Sequence, residues 1–450
     1  MHFDTPEALE EYLDQEKIRF HKVAVIDTDG VLRGKYIDRA KLSSALRGGL
    51  GFCDVVLGWD SQDQLYDNGK LSGWHTGYKD APVSLDLSTV RRLPQEESTV
   101  LLLGNFGEKY AEACSRSLLK RVAEKAASLG FQARAALEYE FFVFDETPQS
   151  ARDKGYQDLK AFTPGMFGYS MIRNSVHADL YRELLDEMSS LEVPIEGLHT
   201  ETGPGVLEAA LAHAPLEEAA DRAALFKTYT KVFLQRRGLL GTFMAKCSNE
   251  YPGQSGHAHI SLEDMQGKNV FHAPSGDGMS DIFRHFIAGQ VKLLPELLPM
   301  ICSTVNAYRR LVPGFWAPTH AAWGLDNRTT AIRAIPAGPK SARSEFRIGP
   351  ADANPHLVLA AALASGLYGI EHKLEIAPTE GNAYENIPDD AVRLSSNLGE
   401  AAQIFSSSKV ARELFGDVFV DHYASTREWE EREYRKYVSD FDLKRYFEII

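Results

Sequence analysis

The sequence predicts an α+β fold with a small β-rich region followed by a larger mixed region. Up to about residue 110 the chain has strand-like runs and turn residues with few helical periods. Helical periods begin near residue 115, and strands with alternating polarity then recur between helices, as is typical of antiparallel sheets covered by helices. Because 450 residues are too many for one small domain, we predict two domains, residues 1–110 and 111–450.

The first region is predicted to be mostly β-structure. Residues 5–17 have the pattern of a short acidic helix. The run VAVIDTDGVLRGKYI predicts two strands joined by a type I′ turn at Asp29-Gly30, because Asp-Gly tolerates the positive φ angles of that turn. Residues 54–88 are rich in Gly, Asp and aromatic residues, and STVLLLGNF at 98–106 predicts a buried strand.

The second region alternates helical and strand-like segments. SRSLLKRVAEKAASLG predicts a helix over residues 115–130 that ends at Gly130, and the strand ALEYEFFVFD follows it. The other expected elements are helices at 174–191, 215–238, 354–374 and 426–448, and strands near 197–212, 242–247, 256–262, 329–336 and 343–348.

Composition excludes several classes of function. The net charge of -14 argues against general binding to nucleic acids or anionic membranes, since their phosphates would repel the chain. ATP binding remains compatible with this charge, because a divalent metal reverses the local sign. No P-loop motif is present. Four scattered cysteines without a CxxC pair indicate a reducing compartment, and neither a signal peptide nor a membrane span is evident, so we expect a cytoplasmic protein.

Polar side chains recur two residues apart on three predicted strands whose other faces are apolar. Residues two apart on a strand point to one face. Unpaired carboxylates buried on such strands would be strongly unfavourable, so they require cations nearby. The polar positions are Glu138 and Glu140 in ALEYEFFVFD, His257, His259 and Ser261 in GHAHISL, and Arg343, Glu345 and Arg347 in ARSEFRIG.

These residue types together favour a phosphoryl-transfer site. Two further glutamates, Glu201 and Glu208, flank a Gly-Pro-Gly turn in ETGPGVLE. Glutamates with one or two histidines suit Mg²⁺ or Mn²⁺, and arginines grip phosphate or carboxylate groups. Each pattern alone has an ordinary explanation, such as an edge ion pair, a hydrogen-bonded core histidine or a surface charge ladder. Their joint occurrence on strands with apolar backs favours metal and phosphate binding.

Six segments resemble the glutamine synthetase family, and they occur in the order that this family has. They are LEYEFFVF, ETGPGVLE, GQSGHAHIS, NAYRRLVPGF, DNRTTAIR and PKSARSEFRIGPADANPHL. The resemblance covers most of the chain and is strongest over about residues 130–375. It implies a small N-terminal β-grasp domain, a large catalytic domain with a curved antiparallel sheet, and a homo-oligomer. We expect a double-ring dodecamer with each active site at a subunit boundary.

The resemblance also implies a set of site residues, with ATP and two Mg²⁺ or Mn²⁺ ions as cofactors. One metal is expected at Glu140, Glu201 and Glu208, and the other at Glu138, His257 and Glu345. The expected ATP ligands are Glu196, His259, Ser261, Arg333, Lys340 and Arg343, and the glutamate ligands are Gly253, Arg310 and Arg347. Arg328 matches the arginine that stabilises the transferred phosphoryl group. In the implied reaction ATP phosphorylates the γ-carboxylate of L-glutamate, and an amine attacks the γ-glutamyl phosphate.

The chain departs from the ammonia-using members around the expected amine pocket. Trp316 stands where those members carry a glutamate, and it offers an apolar wall and a π-face instead. Their DGSS segment is replaced by CDVVLGWDSQDQLYDN, in which Trp59 is expected to line the pocket and either Asp54 or Asp60 to supply the acid. We therefore predict a small organic amine as acceptor. The alternative is that Trp316 only packs the flap and the enzyme uses ammonia.

Other interpretations are disfavoured by particular residues. Tyr384 lies where some relatives carry a nucleotidylated tyrosine, but its neighbours differ, so we predict an ordinary loop tyrosine. An inactive structural member should have lost metal ligands, whereas all six positions here keep Glu or His. Phosphagen kinases share the sheet but would not need GQSGHAHIS and RLVPG together. The sequence thus predicts a carbon–nitrogen ligase.

Overall fold

The computed structural model describes residues 1–450, and the first of its two main sheets lies before residue 110. This five-stranded sheet has the order β2-β1-β5-β4-β3, with β1 and β5 parallel at its centre. Leucines of helix α1 and of helix α2 pack with Val100 and Leu102 of β5 to form its small core. Its strands are β1 Phe20–Ile26, β2 Leu32–Ile37, β3 Leu50–Cys53, β4 Asp80–Arg92 and β5 Thr99–Phe106.

The second sheet has nine strands and carries the polar rows that the sequence indicates. Its main order is β13-β14-β15-β11-β6-β8-β7, and β9 and β10 also pair with β6. Its strands are β6 Phe131–Phe144, β7 Ile195–Thr200, β8 Val206–Leu211, β9 Ala214–Pro215, β10 Leu240–Thr242, β11 Gly256–Asp264, β13 Trp323–Leu325, β14 Ile332–Ile335 and β15 Arg343–Phe346. A separate pair consists of β12 His320–Ala321 and β16 Val392–Arg393.

Thirteen α-helices surround these sheets, and none is long and apolar enough to cross a bilayer. They are α1 Pro6–Gln15, α2 Arg39–Gly48, α3 Ser115–Ser128, α4 Pro148–Asp153, α5 Met171–Val176, α6 Ala178–Ser190, α7 Leu216–Arg236, α8 Asp281–Leu297, α9 Pro355–Glu371, α10 Leu398–Ser407, α11 Lys409–Phe415, α12 Asp417–Tyr434 and α13 Asp440–Tyr446.

The apolar back of β6 is buried against helix α7. Tyr139 and Phe141 alternate with the glutamates of β6, and both rings contact Phe226 of α7 with centroids 6.0 Å apart. Phe243, just after β10, closes the same aromatic cluster. Burying these rings fixes the face to which Glu138 and Glu140 point, because a slip of one residue would exchange the two faces.

The tip of the first hairpin packs against the start of helix α9. Asn354 caps α9 through its side chain and also donates to the carbonyl of Thr28 at 3.2 Å. A Cβ on Gly30 would lie 2.9 Å from the Cα of Asn354, so only glycine fits this close approach. Arg427 of α12 donates to Asp29 at 2.8 Å. The N-terminal sheet is thereby held near the segment that follows β15.

Most predicted elements and the α+β class are confirmed, with several corrections. The turn at Asp29-Gly30 is not a two-residue type I′ turn, because residues 27–31 form a longer connection in which only Gly30 has positive φ. The helix predicted at 174–191 divides at His177 into α5 and α6. Strand β13 pairs in parallel with β14, so the large sheet is not antiparallel throughout. The predicted boundary between domains at residue 110 stays a prediction.

Candidate active site

The strand register aligns the predicted metal ligands in rows across the large sheet. Glu140 of β6 lies opposite Glu208 of β8, and Glu208 lies opposite His199 of β7. Glu138, two residues before Glu140 on β6, lies opposite His257 of β11. Opposing residues on one face of a sheet have Cβ atoms about 4.5–5.5 Å apart, so these side chains converge.

The first cluster joins two histidines to two carboxylates. His257 Nδ1 lies 3.4 Å from Glu345 Oε1 and 3.7 Å from Glu138 Oε2, and His259 Nε2 lies 3.1 Å from Glu138 Oε1. Burial, reinforced by the charge of Arg347, lowers the pKa of His257 to about 4, so its imidazole is neutral at pH 7. Its Nε2 is buried without a hydrogen-bond partner, which leaves a lone pair or N–H for a ligand.

Opposing effects act on Glu138 in this cluster. Burial raises the pKa of Glu138, but the charge of His259 and hydrogen bonds from both histidines outweigh it and hold the pKa well below its usual range. The carboxylate is therefore ionised beside neutral imidazole. Carboxylate oxygen and neutral imidazole nitrogen are both ligands that divalent metals accept.

The second cluster contains several carboxylates and few positively charged groups that could balance them. His199 Nδ1 lies 3.8 Å from Glu201 Oε2, and His199 Nε2 lies 4.0 Å from Glu208 Oε2. Burial, followed by the charges of Glu140, Glu138 and Glu201, raises the pKa of Glu208 to about 9. Burial likewise raises the pKa of Glu140, although its Oε2 accepts the Ser255 N–H at 2.6 Å. Such a cluster would be stabilised by a bound cation.

Two arginines converge on Glu345 at the other side of the first cluster. Arg333 Nη1 donates to Glu345 Oε2 at 2.8 Å, and Arg347 donates to Glu345 Oε1. Burial raises the pKa of Glu345, but His257 and then Arg347 lower it to a net value of about 2. Arg347 also donates to the carbonyl of Arg328 at 3.1 Å, whereas the Arg328 side chain is exposed.

A cavity of about 510 Å³ opens next to the first cluster and contains most of the predicted ATP ligands. Glu138 and His259 line it on the side of the metal ligands, and Arg343 donates to His259 Nδ1 at 3.2 Å. Arg333 is not among its lining residues and binds Glu345 and Asp326 instead. The predicted ATP ligands that line the cavity are Glu196, His259, Ser261, Lys340 and Arg343.

The structure also brings the three predicted glutamate ligands together. A Cβ on Gly253 would lie 2.7 Å from Arg310 Cγ, so the glycine packs directly on that side chain. Arg310 is only 4% exposed and donates to the carbonyl oxygens of Ile348 and Arg347 at 3.0 and 3.4 Å. Arg310 and Arg347 therefore form one basic group beside Glu345.

The predicted amine-pocket acids are not part of either cluster within one chain. Asp54 is fully buried in the N-terminal region, where its oxygens accept from Ser72 at 2.9 Å and Tyr110 at 3.0 Å. Asp60 accepts backbone N–H groups of Gln62 and Gln64, both at 2.8 Å, and keeps partial exposure. Of the two acids, only Asp60 is open to a ligand in this conformation.

The two predicted pocket tryptophans also lie outside the clusters of this chain. The guanidinium carbon of Arg33 lies 4.9 Å from the Trp59 ring centroid, so one face of that ring is occupied. Trp316 is 58% exposed and has a φ of 58°, in a loop between Arg310 and β12. Neither side chain forms a hydrogen bond to the clustered carboxylates.

Sequence reasoning missed two residues beside the second cluster. His199 completes a group with Glu201 and Glu208 whose ligand atoms lie within 4.8 Å of one another. The Tyr169 ring stacks on His199 with centroids 4.2 Å apart. The spacing of two between His199 and Glu201 was the available signal for His199, because alternate residues of a strand share a face. No comparable spacing indicates Tyr169, which reaches the site from a loop.

Comparisons with known proteins agree with this geometry. The family described as glutamine synthetase, catalytic domain, matches residues 112–446. The chain is 45% identical to type-1 glutamine synthetase 2 of Dictyostelium discoideum, over 97% of the chain and 86% of that protein. It is 36% identical to a glutamate–isopropylamine ligase of a Pseudomonas species, over 98% and 97%, and 35% identical to gamma-glutamylethanolamide synthetase GlnA4 of Streptomyces coelicolor, over 95% and 92%. The solved GmaS/ADP complex superposes with a TM-score of 0.85 at 25% identity, covering 98% of this chain and 99% of the other.

Proposed function

The chain belongs to the glutamine synthetase family, and on that premise we propose that it is an ATP-dependent ligase that joins the γ-carboxylate of L-glutamate to an amine. The observation that carries this proposal is the meeting of carboxylates, imidazoles and guanidiniums beside a cavity of about 510 Å³. Phosphoryl transfer needs positioning and charge stabilisation more than covalent chemistry, and these groups supply both.

The side chains present fit two hard divalent ions. Their ligand atoms are carboxylate oxygens and imidazole nitrogens. Burial and then the neighbouring glutamates raise the pKa of Glu208 to about 9, so its ionised form would be stabilised by a cation. When bound, such ions would offset charge on the transferred phosphoryl group. We assign Glu138, His257 and Glu345 to one ion, with His259, whose ligand atom lies within 4.8 Å of those of Glu138 and Glu345, as a further candidate ligand. We assign Glu140, Glu201 and Glu208 to the other ion, with His199 as its further candidate ligand.

The remaining side chains would hold the two substrates on either side of the metals. Lys340 and Arg343 line the cavity where a nucleotide would lie, and Arg310 and Arg347 form the basic group suited to glutamate. The γ-carboxylate oxygen attacks the terminal phosphorus of ATP, and ADP leaves. The amine nitrogen then attacks the γ-carbonyl carbon, the carbon–oxygen bond to phosphate breaks, and the amide forms as nitrogen loses a proton.

We propose an organic amine as the acceptor. The indole of Trp316 is exposed in the loop between Arg310 and β12. An indole suits an alkyl or aryl substituent better than it suits ammonium. Two relatives at 35–36% identity are named as ligases of isopropylamine or synthetases of an ethanolamide, which supports this choice.

Ammonia is the second candidate acceptor, because the 45% identical Dictyostelium relative is named a glutamine synthetase. Glutamate-dependent ADP release should be measured with ammonium and with a panel of alkyl, aryl and polyamines. We expect a kcat/KM at least about tenfold higher for the best amine, which corresponds to about 1.4 kcal/mol of transition-state binding. A higher kcat/KM for ammonium would refute the organic-amine proposal, and Trp316→Glu should shift the ratio towards ammonium.

We further propose that the active form is a double-ring homo-oligomer in which N-terminal residues of one subunit complete the site of the next. Support comes from the amine-pocket residues Trp59 and Asp60, which contact neither carboxylate cluster within their own chain. Mass measurement of the oligomer and mixing of Trp59→Ala subunits with Glu140→Ala subunits test this arrangement. Recovery of activity on mixing is expected, since some interfaces would then combine two intact halves.

A further inference from the structure

Lys227 is a buried cation that none of the roles above uses. It lies on helix α7, behind the large sheet, with its side chain enclosed. Its Nζ donates to the carbonyl oxygens of three consecutive residues, Ala353 at 2.6 Å and Ala351 and Asp352 at 3.3 Å each. An ammonium group has three N–H donors, which equals the number of carbonyl oxygens within hydrogen-bond distance of it.

The carbonyls that Lys227 holds belong to the segment that leads from β15 to helix α9. This segment pairs with the start of β11, since Gly349 accepts from the Gly256 N–H at 2.9 Å and the Ala351 N–H donates to Gln254 at 3.1 Å. The next residue of β11 is His257. A shift of the segment would therefore shift the histidine that faces Glu138 and Glu345.

Arg310 grips the other end of the same segment. It donates to the carbonyls of Arg347 and Ile348, and Lys227 donates to the carbonyls of residues 351–353 further along the segment. Two buried cations thus hold the chain on both sides of the Gly349-Pro350 step. Lys227 Nζ also lies 5.5 Å from the centroid of the Tyr139 ring, and Tyr139 separates the glutamates of β6.

Burial would normally disfavour an ammonium at this position. Burial lowers the pKa of Lys227 to about 7, and the charge of Asp352 opposes that shift. The ammonium form donates to all three carbonyls, and the neutral amine keeps two N–H donors for them. Asp352 is in turn held by the Thr304 hydroxyl at 3.0 Å. An apolar side chain of the same length would leave the three carbonyls without this donor and would gain only packing.

We propose that Lys227 is a positioning residue for the reaction, which sets β11 and the Arg347 segment in register with β6 by holding the carbonyls of residues 351–353. This inference rests on the proposed ligase function. Lys227 acts through His257 and Arg347 and touches no substrate. It should therefore control the affinity for metal and glutamate more than the affinity for ATP, whose predicted cavity lies on the far side of His259.

Lys227→Met tests the proposal because it keeps a four-atom apolar stem of about the same length and removes the donors. We expect the activating Mn²⁺ concentration and the KM for glutamate each to rise about 10- to 100-fold, the effect typical of losing support behind a metal ligand. The KM for ATP should stay within about twofold. Lys231→Met is the matched control, because Lys231 lies one turn along α7, is exposed, has its Nζ 5.7 Å from the Phe243 ring centroid and donates no hydrogen bond to residues 351–353. All its parameters should stay within about twofold of wild type.

Lys227→Gln provides a second variant that retains an amide donor, and it should lie between wild type and Lys227→Met. Equal losses in all three constants, unchanged constants in folded Lys227→Met, or failure of both variants to fold would overturn the positioning role. Failure of the ligase proposal is distinguishable, because wild type would then release no ADP on addition of glutamate and an amine. Direct Mn²⁺ binding by calorimetry would still separate wild type from Lys227→Met.

Discussion

The clustered carboxylates at the centre of the site lower the stability of the folded protein when no cation is bound. Glu140, Glu201 and Glu208 lie together on or beside adjacent strands, and the ring nitrogens of His199 lie 3.8 Å from Glu201 and 4.0 Å from Glu208. The pKa of Glu208 is raised to about 9 by burial and by its glutamate neighbours, which means that the ionised cluster is costly without a cation. The proposed metal binding requires this charge, whereas folding alone would favour fewer carboxylates.

Glu140→Gln should separate the effect of this charge on stability from its effect on activity. The amide keeps an oxygen for the Ser255 N–H and removes one charge from the cluster, so the metal-free protein should show an equal or higher apparent Tm. Metal-dependent ADP release should fall more than about 100-fold, since losing only an outer-shell partner already costs about 10- to 100-fold. Thermal scans without metal and Mn²⁺ titrations of activity measure the two effects. A lower Tm together with normal activity would contradict this account.

For individual residues, the sequence predicts which side chains share one face of a strand, but it does not predict which side chains are buried. The alternation in LEYEF, HAHIS and RSEFR predicted the strand face on which each polar side chain lies, whereas the grouping of Glu138, His257 and Glu345 came from the family resemblance. Enclosure of Asp54 depends on Ser72 and Tyr110, which are distant in sequence from one another, and no local pattern indicates it.

Among the elements, the junction of β6, β11 and the segment after β15 leaves no room for an added side-chain atom at Gly256. A Cβ on Gly256 would lie 2.7 Å from the Pro350 carbonyl, 3.0 Å from a Tyr139 ring carbon and 3.2 Å from the Ala351 Cα. Two of these atoms are backbone, so the neighbours cannot yield by rotating a side chain. The close approach allows β11 to present His257 directly opposite Glu138.

Gly256→Ala should therefore displace β11. We expect a loss of about 1–3 kcal/mol in stability, the range for overpacking a core, and a weaker response to metal. Gly48→Ala is the control, since it lies in helix α2 with no atom within 4 Å of the added Cβ and should leave stability equal or slightly higher. Denaturation midpoints and metal activation curves of both variants check the prediction. A Gly256→Ala protein as stable as Gly48→Ala would show that the junction has room to adjust.

Local patterns account for most elements but not for all of them. Helix α9 is apolar on every side, which its composition already indicates, and β5 and α7 lie close to their predicted bounds. Helix α8 was missed although it packs closely on α9, and a glycine contact between Gly289 and Gly369 allows that approach. The longer connection at 27–31 arises because Asp27 accepts backbone N–H groups of Asp29 and Val31, an interaction that competes with a two-residue turn.

The whole molecule is tied together by a buried charge network between helices and the N-terminal sheet. Arg116 of α3 donates to Asp221 of α7 at 2.7 and 2.8 Å and to Asp86 of β4 at 2.8 Å. His356, in the first turn of α9, lies 2.9 Å from the same Asp221 carboxylate. Breaking one member leaves the others buried without partners, which typically costs about 3–5 kcal/mol. This network therefore links helices α3, α7 and α9 to the N-terminal sheet more strongly than an exposed ion pair would.

The pH dependence of stability should report this network. Burial raises the pKa of Asp221, but Arg116 and then His356 outweigh it, so the net pKa is below the ordinary value of 3.8. A carboxylate whose pKa is lower in the folded state stabilises the protein above the unfolded pKa and loses that contribution as pH falls through the folded value. Burial lowers the pKa of His356 below its ordinary value of 6.5, so its imidazole is neutral at pH 7.

Asp221→Asn should accordingly lower the apparent Tm by a constant amount between about pH 5 and pH 8, and its deficit should shrink below about pH 4 as wild type loses the charged carboxylate. Asp417→Asn is the control, because Asp417 is largely exposed in its pair with Arg412 and such pairs contribute at most about 1 kcal/mol. Thermal scans of the three proteins across this range provide the measurement. A deficit that persists unchanged to pH 3 would mean that Asp221 stabilises the molecule through packing, and that its charge is not what joins the helices to the N-terminal sheet.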